Sequence, residues 1–208
     1  MSEPAVQTTD RRRLRGERTR QAILSHAARV ASAEGLESVS LQRLADDLGI
    51  SKSGLFAHFG SKEELQLATV EEAARIFTEE VLRPGLAAPS GAGRVLALTE
   101  AFISYLEREV FPGGCFFEAT MAEFDHKPGA VRDSIASRKG YFAASLARAA
   151  RDAQARGDLD PGVDAEQLAW ELGALLSAAN NGYAAGDEAA FERARRAIRD
   201  RLERARSH

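Results

Sequence analysis

LQRLADDLGISKSGLFAHFGSKEEL, residues 41–65, holds two short helical patterns and the start of a third. Ser40 stands one residue ahead of LQRLADDL as an N-cap, and Leu41, Leu44, Ala45 and Leu48 fall on one face. Gly49 supplies the left-handed residue that ends this helix. Ser51 caps a second short helix, KSGLFAHF, which Gly60 breaks. Ser61 and Glu64 then form a capping box at the start of a longer helix. Two short helices joined by a tight turn, with a longer helix before them, are the layout of a helix-turn-helix, whose second helix enters a DNA major groove.

Each residue of the second helix then has a task. Leu55 and Phe59, four apart, face inward and hold it against its neighbours. Lys52, Ser53 and Gly54 sit at its N-terminal end, facing the bases, and the bare backbone at Gly54 permits close approach. Lysine suits guanine, and Gln42 on the preceding helix suits adenine; phosphate contact is the other reading for both. His58, one turn after Gly54, is placed to donate to a phosphate. Lys62 brings a cation to free backbone N–H groups, a phosphate clamp. A cation there opposes the helix dipole, which argues against a purely structural reason for it.

This reading has to survive a net charge of −3. The distribution rescues it. Residues 11–20, RRRLRGERTR, hold six Arg and one Glu, and residues 1–60 carry +2, so the remainder carries −5. A basic head precedes an acidic body. Arg11, Arg12, Arg13 and Arg15 read as an arm that grips phosphates or enters the minor groove, with a solvated tail as the bland alternative. The chain has 208 residues, of which 44% are hydrophobic, enough for a substantial core. No apolar run is long enough to span a bilayer, and MSEPAVQTTDRRR lacks the apolar stretch of a secretory signal. A single cysteine, Cys115, excludes an intramolecular disulfide and suits the cytoplasm. Four scattered histidines and that cysteine show no metal-ligand spacing, and no cofactor is implied.

The fold expected is all-α. Ala, Leu, Arg and Glu dominate, and alternating β-branched runs are missing. Helices are expected over about residues 17–34, 41–48, 52–59, 61–81, 94–110, 115–124, 130–156, 164–183 and 188–205. PGLAAPSGAG, residues 84–93, reads as a linker. The organisation expected is a flexible arm at 1–16, a DNA-binding domain at 17–62 and a helical body at 63–208.

The segment from about residue 17 to 65 resembles the DNA-binding signature of the TetR, or tetracycline-repressor-like, family of bacterial regulators. Members commonly read G-x-L-Y-x-H-F-x-x-K-x-x-L where this chain reads GLFAHFGSKEEL. GGCFFEA and FERARRAIR resemble actinobacterial members more loosely. The resemblance implies a homodimer of all-helical chains, two DNA-binding heads and an effector-binding body. It also implies that Ser40, Gln42, Lys52, Ser53, Gly54, His58 and Lys62 contact DNA. Phe56 departs from the pattern: the usual tyrosine would bond a phosphate, and phenylalanine keeps only the ring contact.

In the body, aromatic residues exceed what a core of this size needs. Phe77, Phe102, Tyr105, Leu106, Phe116, Phe117, Met121, Phe124, Tyr141, Phe142 and Trp170 are candidates for an apolar effector pocket, with plain core as the alternative for each. Leu168, Leu172, Leu175 and Ala179, then Phe191, Ala194, Ile198 and Leu202, form stripes on the last two helices that suit a four-helix dimer interface. Cys115 beside two phenylalanines reads as a small buried hydrophobe, with oxidant sensing as the sharper alternative. The function expected is a ligand-responsive repressor that leaves a palindromic operator when a small apolar effector binds. An activator or an effector-independent autoregulator would share the fold. A small helical enzyme is the rival class, with Glu118, Glu123, Asp125 and His126 as its candidate site and the capping and solvation of a turn as the alternative reading of those charges.

Overall fold

The computed structural model describes residues 5–206 apart from Ala57, with side chains described from Leu14 onward. Among these residues there are ten α-helices and no strand. They are α1 Ala5–Glu34, α2 Leu41–Leu48, α3 Lys52–Phe56, α4 Lys62–Phe77, α5 Arg83–Ala87, α6 Ala92–Glu107, α7 Phe116–Phe124, α8 Ala130–Ala155, α9 Ala165–Ala184 and α10 Ala190–Glu203. A 3-10 turn at Leu36–Ser38 links α1 to α2, and a π-helical turn at Thr78–Leu82 links α4 to α5.

Three boundaries differ from expectation. Helix α1 starts at Ala5, through the segment read as an arm, where Arg11, Arg12, Arg13, Leu14 and Arg15 are good helix formers that continue into the helix beyond Gly16. Helix α3 ends at Phe56, before His58 and Phe59. The helix after Ser61 does not stop at Pro84: the π-turn carries the chain into α5, where Pro84 lies in the first turn and its missing N–H costs nothing.

The head comprises α1, α2 and α3, packed through Ile23, Ala27, Leu36, Leu44, Leu55 and Phe59, all buried. The Ser40 hydroxyl accepts from the Arg43 N–H at 3.2 Å, and Gly49 closes α2 in the left-handed region at φ 63°. Arg43 grips Glu34 of α1 through two nitrogens, and His26 meets Asp47 at 2.9 Å. The Arg20 guanidinium lies 4.9 Å over the Phe59 ring. Helix α4 leaves the head with Leu65, Val70, Ala73 and Phe77 buried and enters the body, where it packs against α8.

Helices α6, α8, α9 and α10 pack around one another as the body. That packing corrects the expected dimer surface. Leu168, Leu172, Ala179, Phe191, Ala194, Ile198 and Leu202 are buried inside the protomer, and only Leu175 keeps partial exposure. The broad stripes of α9 and α10 are filled by each other, by α6 and by α8. The surface these helices leave open carries Trp170, Ala174, Leu175, Ala178 and Ala197 instead.

Candidate nucleic-acid interface and ligand cavity

On α3, Lys52, Ser53 and Phe56 are exposed and Gly54 is half-buried, while Leu55 turns into the core. The Ser51 hydroxyl accepts from the Gly54 N–H at 3.2 Å and so starts the helix. The Lys52 ammonium sits 6.0 Å from the centroid of the exposed Phe56 ring, at the outer reach of a cation–π contact. His58 is half-buried, its ring tilted against Phe59 at 6.3 Å. Arg15 is exposed on α1; the side chains of Arg11, Arg12 and Arg13 lie outside the described residues.

Two candidate contacts are already occupied. The Lys62 ammonium donates to the Glu37 carbonyl at 2.9 Å and to its carboxylate at 2.7 Å. That hydrogen bond holds the Glu37 carboxyl below its ordinary range. The Gln42 amide donates to both Asp46 oxygens at 3.0 and 3.1 Å. To meet DNA, each must change partner. Ser40 is half-buried, with its oxygen committed to the cap of α2. At the start of α4, the Ser61 hydroxyl accepts from the Glu64 N–H at 3.1 Å. Glu64 itself reaches back past the cap to the Gly60 N–H, at 2.7 Å.

The head is tied to the body at points that the sequence did not reveal. Glu72 of α4, buried, takes hydrogen bonds from Gln21 and Ser25 of α1 and from Arg75 of its own helix. Burial pushes its carboxyl up, and the three hydrogen-bond partners outweigh this, so the net shift is downward. Glu123 of α7 accepts from the Leu36 N–H at 2.6 Å and the Glu37 N–H at 2.9 Å, capping the 3-10 turn of the head from the body. Arg29 of α1 donates to the Val110 carbonyl at 3.0 Å. Beside it the backbone of Gly113 runs so close to the Ser32 carbonyl that any Cβ would collide.

Inside the body lies a cavity of about 290 Å³ between α4, α6, α7, α8 and α9. Of the aromatic candidates it gathers Phe77, Phe102, Phe117, Phe142 and Trp170. Phe77 meets Phe102, Phe117 and Phe142 edge-on at 5.3–6.0 Å, and Phe102 stacks on Phe142 at 5.5 Å. Tyr105, Leu106, Phe116 and Phe124 are buried in core and do not line the cavity, Tyr105 and Phe116 packing behind its aromatic walls; Met121 is half-buried beside that core, and Tyr141 is exposed on the outer face of α8. The sequence reading missed the polar part of the lining: Cys115, Glu118, Arg138, Lys139 and Ser177. The Glu118 carboxylate meets the Lys139 ammonium at 2.8 Å and accepts from the Ser177 hydroxyl at 2.9 Å. Arg138 reaches both oxygens of Glu71 on α4 at 2.6 Å.

Burial pushes the Cys115 thiol up to about 11, so it is protonated near neutrality and a poor nucleophile, as a buried hydrophobe should be. Nearby, the Tyr105 hydroxyl is buried beside Cys115 and the Phe116 backbone with no well-formed hydrogen bond among the described residues, and desolvation raises it well above the ordinary range for tyrosine. The four residues of the rival enzymatic reading diverge. Glu118 faces Lys139, Glu123 caps the head, and His126 is solvent-exposed beside Asp125 at 3.6 Å. Among the described residues no cluster has the makings of a metal site, and no helix is long and apolar enough to cross a membrane.

Comparison with known proteins places these features in context. The family described as "Tetracyclin repressor-like, C-terminal domain" matches residues 91–198, and "Bacterial regulatory proteins, tetR family" matches residues 23–69. The HTH-type transcriptional repressor AcnR of Corynebacterium efficiens is 40% identical over 68 residues, 33% of this chain and 36% of AcnR. The match thus spans about a third of that relative's length. A TetR transcriptional regulator from Chloroflexus aurantiacus is 25% identical, with a TM-score of 0.80 over 92% of this chain and 97% of that one. AibR, solved with isovaleryl coenzyme A and operator DNA, shares the fold at 23% identity and a TM-score of 0.68, over 86% of this chain and 95% of its own.

Proposed function

We propose a function for this chain from one established premise: it belongs to the tetracycline-repressor-like family of bacterial transcriptional regulators. The family and the relatives named above are regulators, not enzymes. The function proposed is that of a ligand-responsive repressor. Residues 17–62 read an operator, and residues 63–208 bind a small, largely apolar effector and pair two chains. In AibR operator DNA and a ligand meet on a protein of this fold, and AcnR is a repressor; both support the reading.

One observation carries it. Phe117 and Glu118 line the cavity, and Glu123 on the same helix caps the 3-10 turn of the head. A ligand that moves α7 therefore moves an anchor of the head. It shifts the heads only insofar as it binds one arrangement better than the other. Lys52, Ser53 and Gly54 are proposed to face bases, with Gln42 beside them. Ser40, Phe56, His58, Lys62 and the Arg11–Arg15 stretch are proposed to follow the phosphates. Two heads on successive major grooves need a two-fold pair with half-sites roughly 34–36 Å apart. The open face of α9 and α10 suits that pair: Ala174, Ala178 and Ala197 allow close approach, and exposed Trp170 offers an anchor.

The test is selection of bound sequences from a random DNA pool, followed by titration at two salt concentrations. A two-fold-symmetric motif with salt-sensitive affinity, lost in Lys62→Ala, is expected. No enrichment over the starting pool would overturn the operator-binding reading.

A further inference from the structure

The cations around the cavity have more hydrogen-bond donors than partners, and the unspent donors specify a ligand. This argument rests on the cavity being the effector site. Its walls are aromatic and aliphatic, so the body of the ligand is apolar. The polar lining has two cations, Arg138 and Lys139, and one carboxylate, Glu118. Both Glu118 oxygens are engaged, one by Lys139 and one by Ser177. Lys139 has three N–H donors and spends one. Arg138 spends one nitrogen on Glu71, and its other donors have no protein partner among the described residues. Each cation is thus paired with one carboxylate, Arg138 with Glu71 and Lys139 with Glu118, and what borders the largely apolar space of about 290 Å³ is a set of spare donors.

We propose that this cavity binds a small monocarboxylic acid with an aromatic or short aliphatic body, its carboxylate held by Arg138 and Lys139. An acceptor-only, anionic head group matches the spare donors, and charge-assisted hydrogen bonds offset its desolvation. A neutral amide matches only half of that and brings donors against donors. A cationic amine would bring only donors to a site whose unspent groups are donors.

The same geometry gives the ligand a way to be felt. The partner that Arg138 holds is Glu71 on α4, next in sequence to Glu72, which grips Gln21 and Ser25 of the head. A carboxylate seated on the free donors of Arg138 repels the Glu71 carboxylate and so weakens the tie between α8 and α4. Even on the free nitrogens, a ligand carboxylate brings a second negative charge to the guanidinium that Glu71 holds, so ligand and Glu71 oppose each other there.

The experiment uses the full chain and the neutral apolar fluorophore N-phenylnaphthylamine, displaced by phenylacetate or hydrocinnamate and by the matching amides. Trp170, the only tryptophan, stands at the cavity and gives an independent fluorescence signal. Acids are expected to displace the fluorophore at concentrations at least about tenfold lower than their amides. Arg138→Gln with Lys139→Gln should abolish that preference while sparing the amides. Glu71→Gln, which frees Arg138, should tighten acid binding several-fold; weaker binding would overturn that opposition. Gly173→Leu projects into open space within the cavity and should block every probe. Equal displacement by acid and amide, blocked by Gly173→Leu, would overturn the carboxylate proposal and leave the effector site standing. If the fluorophore does not bind at all, the cavity takes no apolar ligand, and the effector half of the proposed function falls with the proposal.

Discussion

In the head, Lys52, Ser53 and Phe56 stand exposed on a single turn of α3; in the body, Glu118, Lys139 and Ser177 converge on one cavity from α7, α8 and α9. The first surface is contiguous in sequence and is aimed outward by two buried anchors, Leu55 and Phe59. The second exists only because separate helices pack. A surface of the first kind should fail as a unit when an anchor is lost. One of the second kind should survive the loss of any single polar member, because the aromatic walls remain.

The largest test of this contrast removes an anchor. Leu55 is fully buried, and Leu55→Ala is expected to cost about 2–5 kcal/mol, most of it in the head. DNA binding should vanish while the body still takes up N-phenylnaphthylamine. Denaturant unfolding followed by both signals checks this; simultaneous loss would mean that head and body unfold as one cooperative unit.

A smaller effect is expected at the junction. Glu72→Gln removes a charge that Gln21, Ser25 and Arg75 all address, and should cost roughly 1–3 kcal/mol near neutrality. The folded-state pKa of Glu72 is lowered from 4.5. Its contribution is therefore present above the unfolded value and lost as pH falls through the folded one. Wild type and Glu72→Gln should converge in stability on acidification below about pH 4.5; urea titrations across that range would show an undiminished gap if the carboxylate were not responsible.

Within the head, clamp and reader should separate. Lys62→Ala should weaken binding to all sequences alike and lower the salt slope by about one, while Lys52→Ala should change sequence preference. Because Glu37 holds Lys62 in the free protein, Glu37→Gln should tighten DNA binding a few-fold. Anisotropy titrations on matched and scrambled operators distinguish these; identical profiles for the two lysine variants would merge the roles. The smallest effect is expected from Phe56→Tyr, which supplies a phosphate-bonding hydroxyl on an already exposed ring. A gain of no more than about 1 kcal/mol in DNA affinity is expected, with no change in the cavity.

The difference between the two regions also governs how far the sequence could be read. Ser40, Gly49 and Ser61 act through neighbours three or four residues away, so their roles follow from local spacing. The periodicity of α9 and α10 was equally plain, yet a stripe says only that a face is covered and not by what. Leu168, Leu172, Phe191 and Ile198 turned out to be covered by their own chain. Five of the aromatic candidates share the cavity and the others do not, because which side of a packed helix borders a void depends on the shape of its neighbours.

The sequence by itself determined the all-helical class, the capped helix-turn-helix and the basic head on an acidic body, since propensity, capping and charge are properties of short segments. Only the tertiary structure decided that Glu123 caps the head from α7, that Glu37 occupies Lys62, and that Arg138 and Lys139 border an aromatic cavity with donors to spare. Those contacts join residues 21 to 87 positions apart in the chain, and no local periodicity encodes them. They arise when amphipathic helices choose their neighbours by burying apolar faces, and the polar groups left at the seams find whatever partner the packing brings within reach.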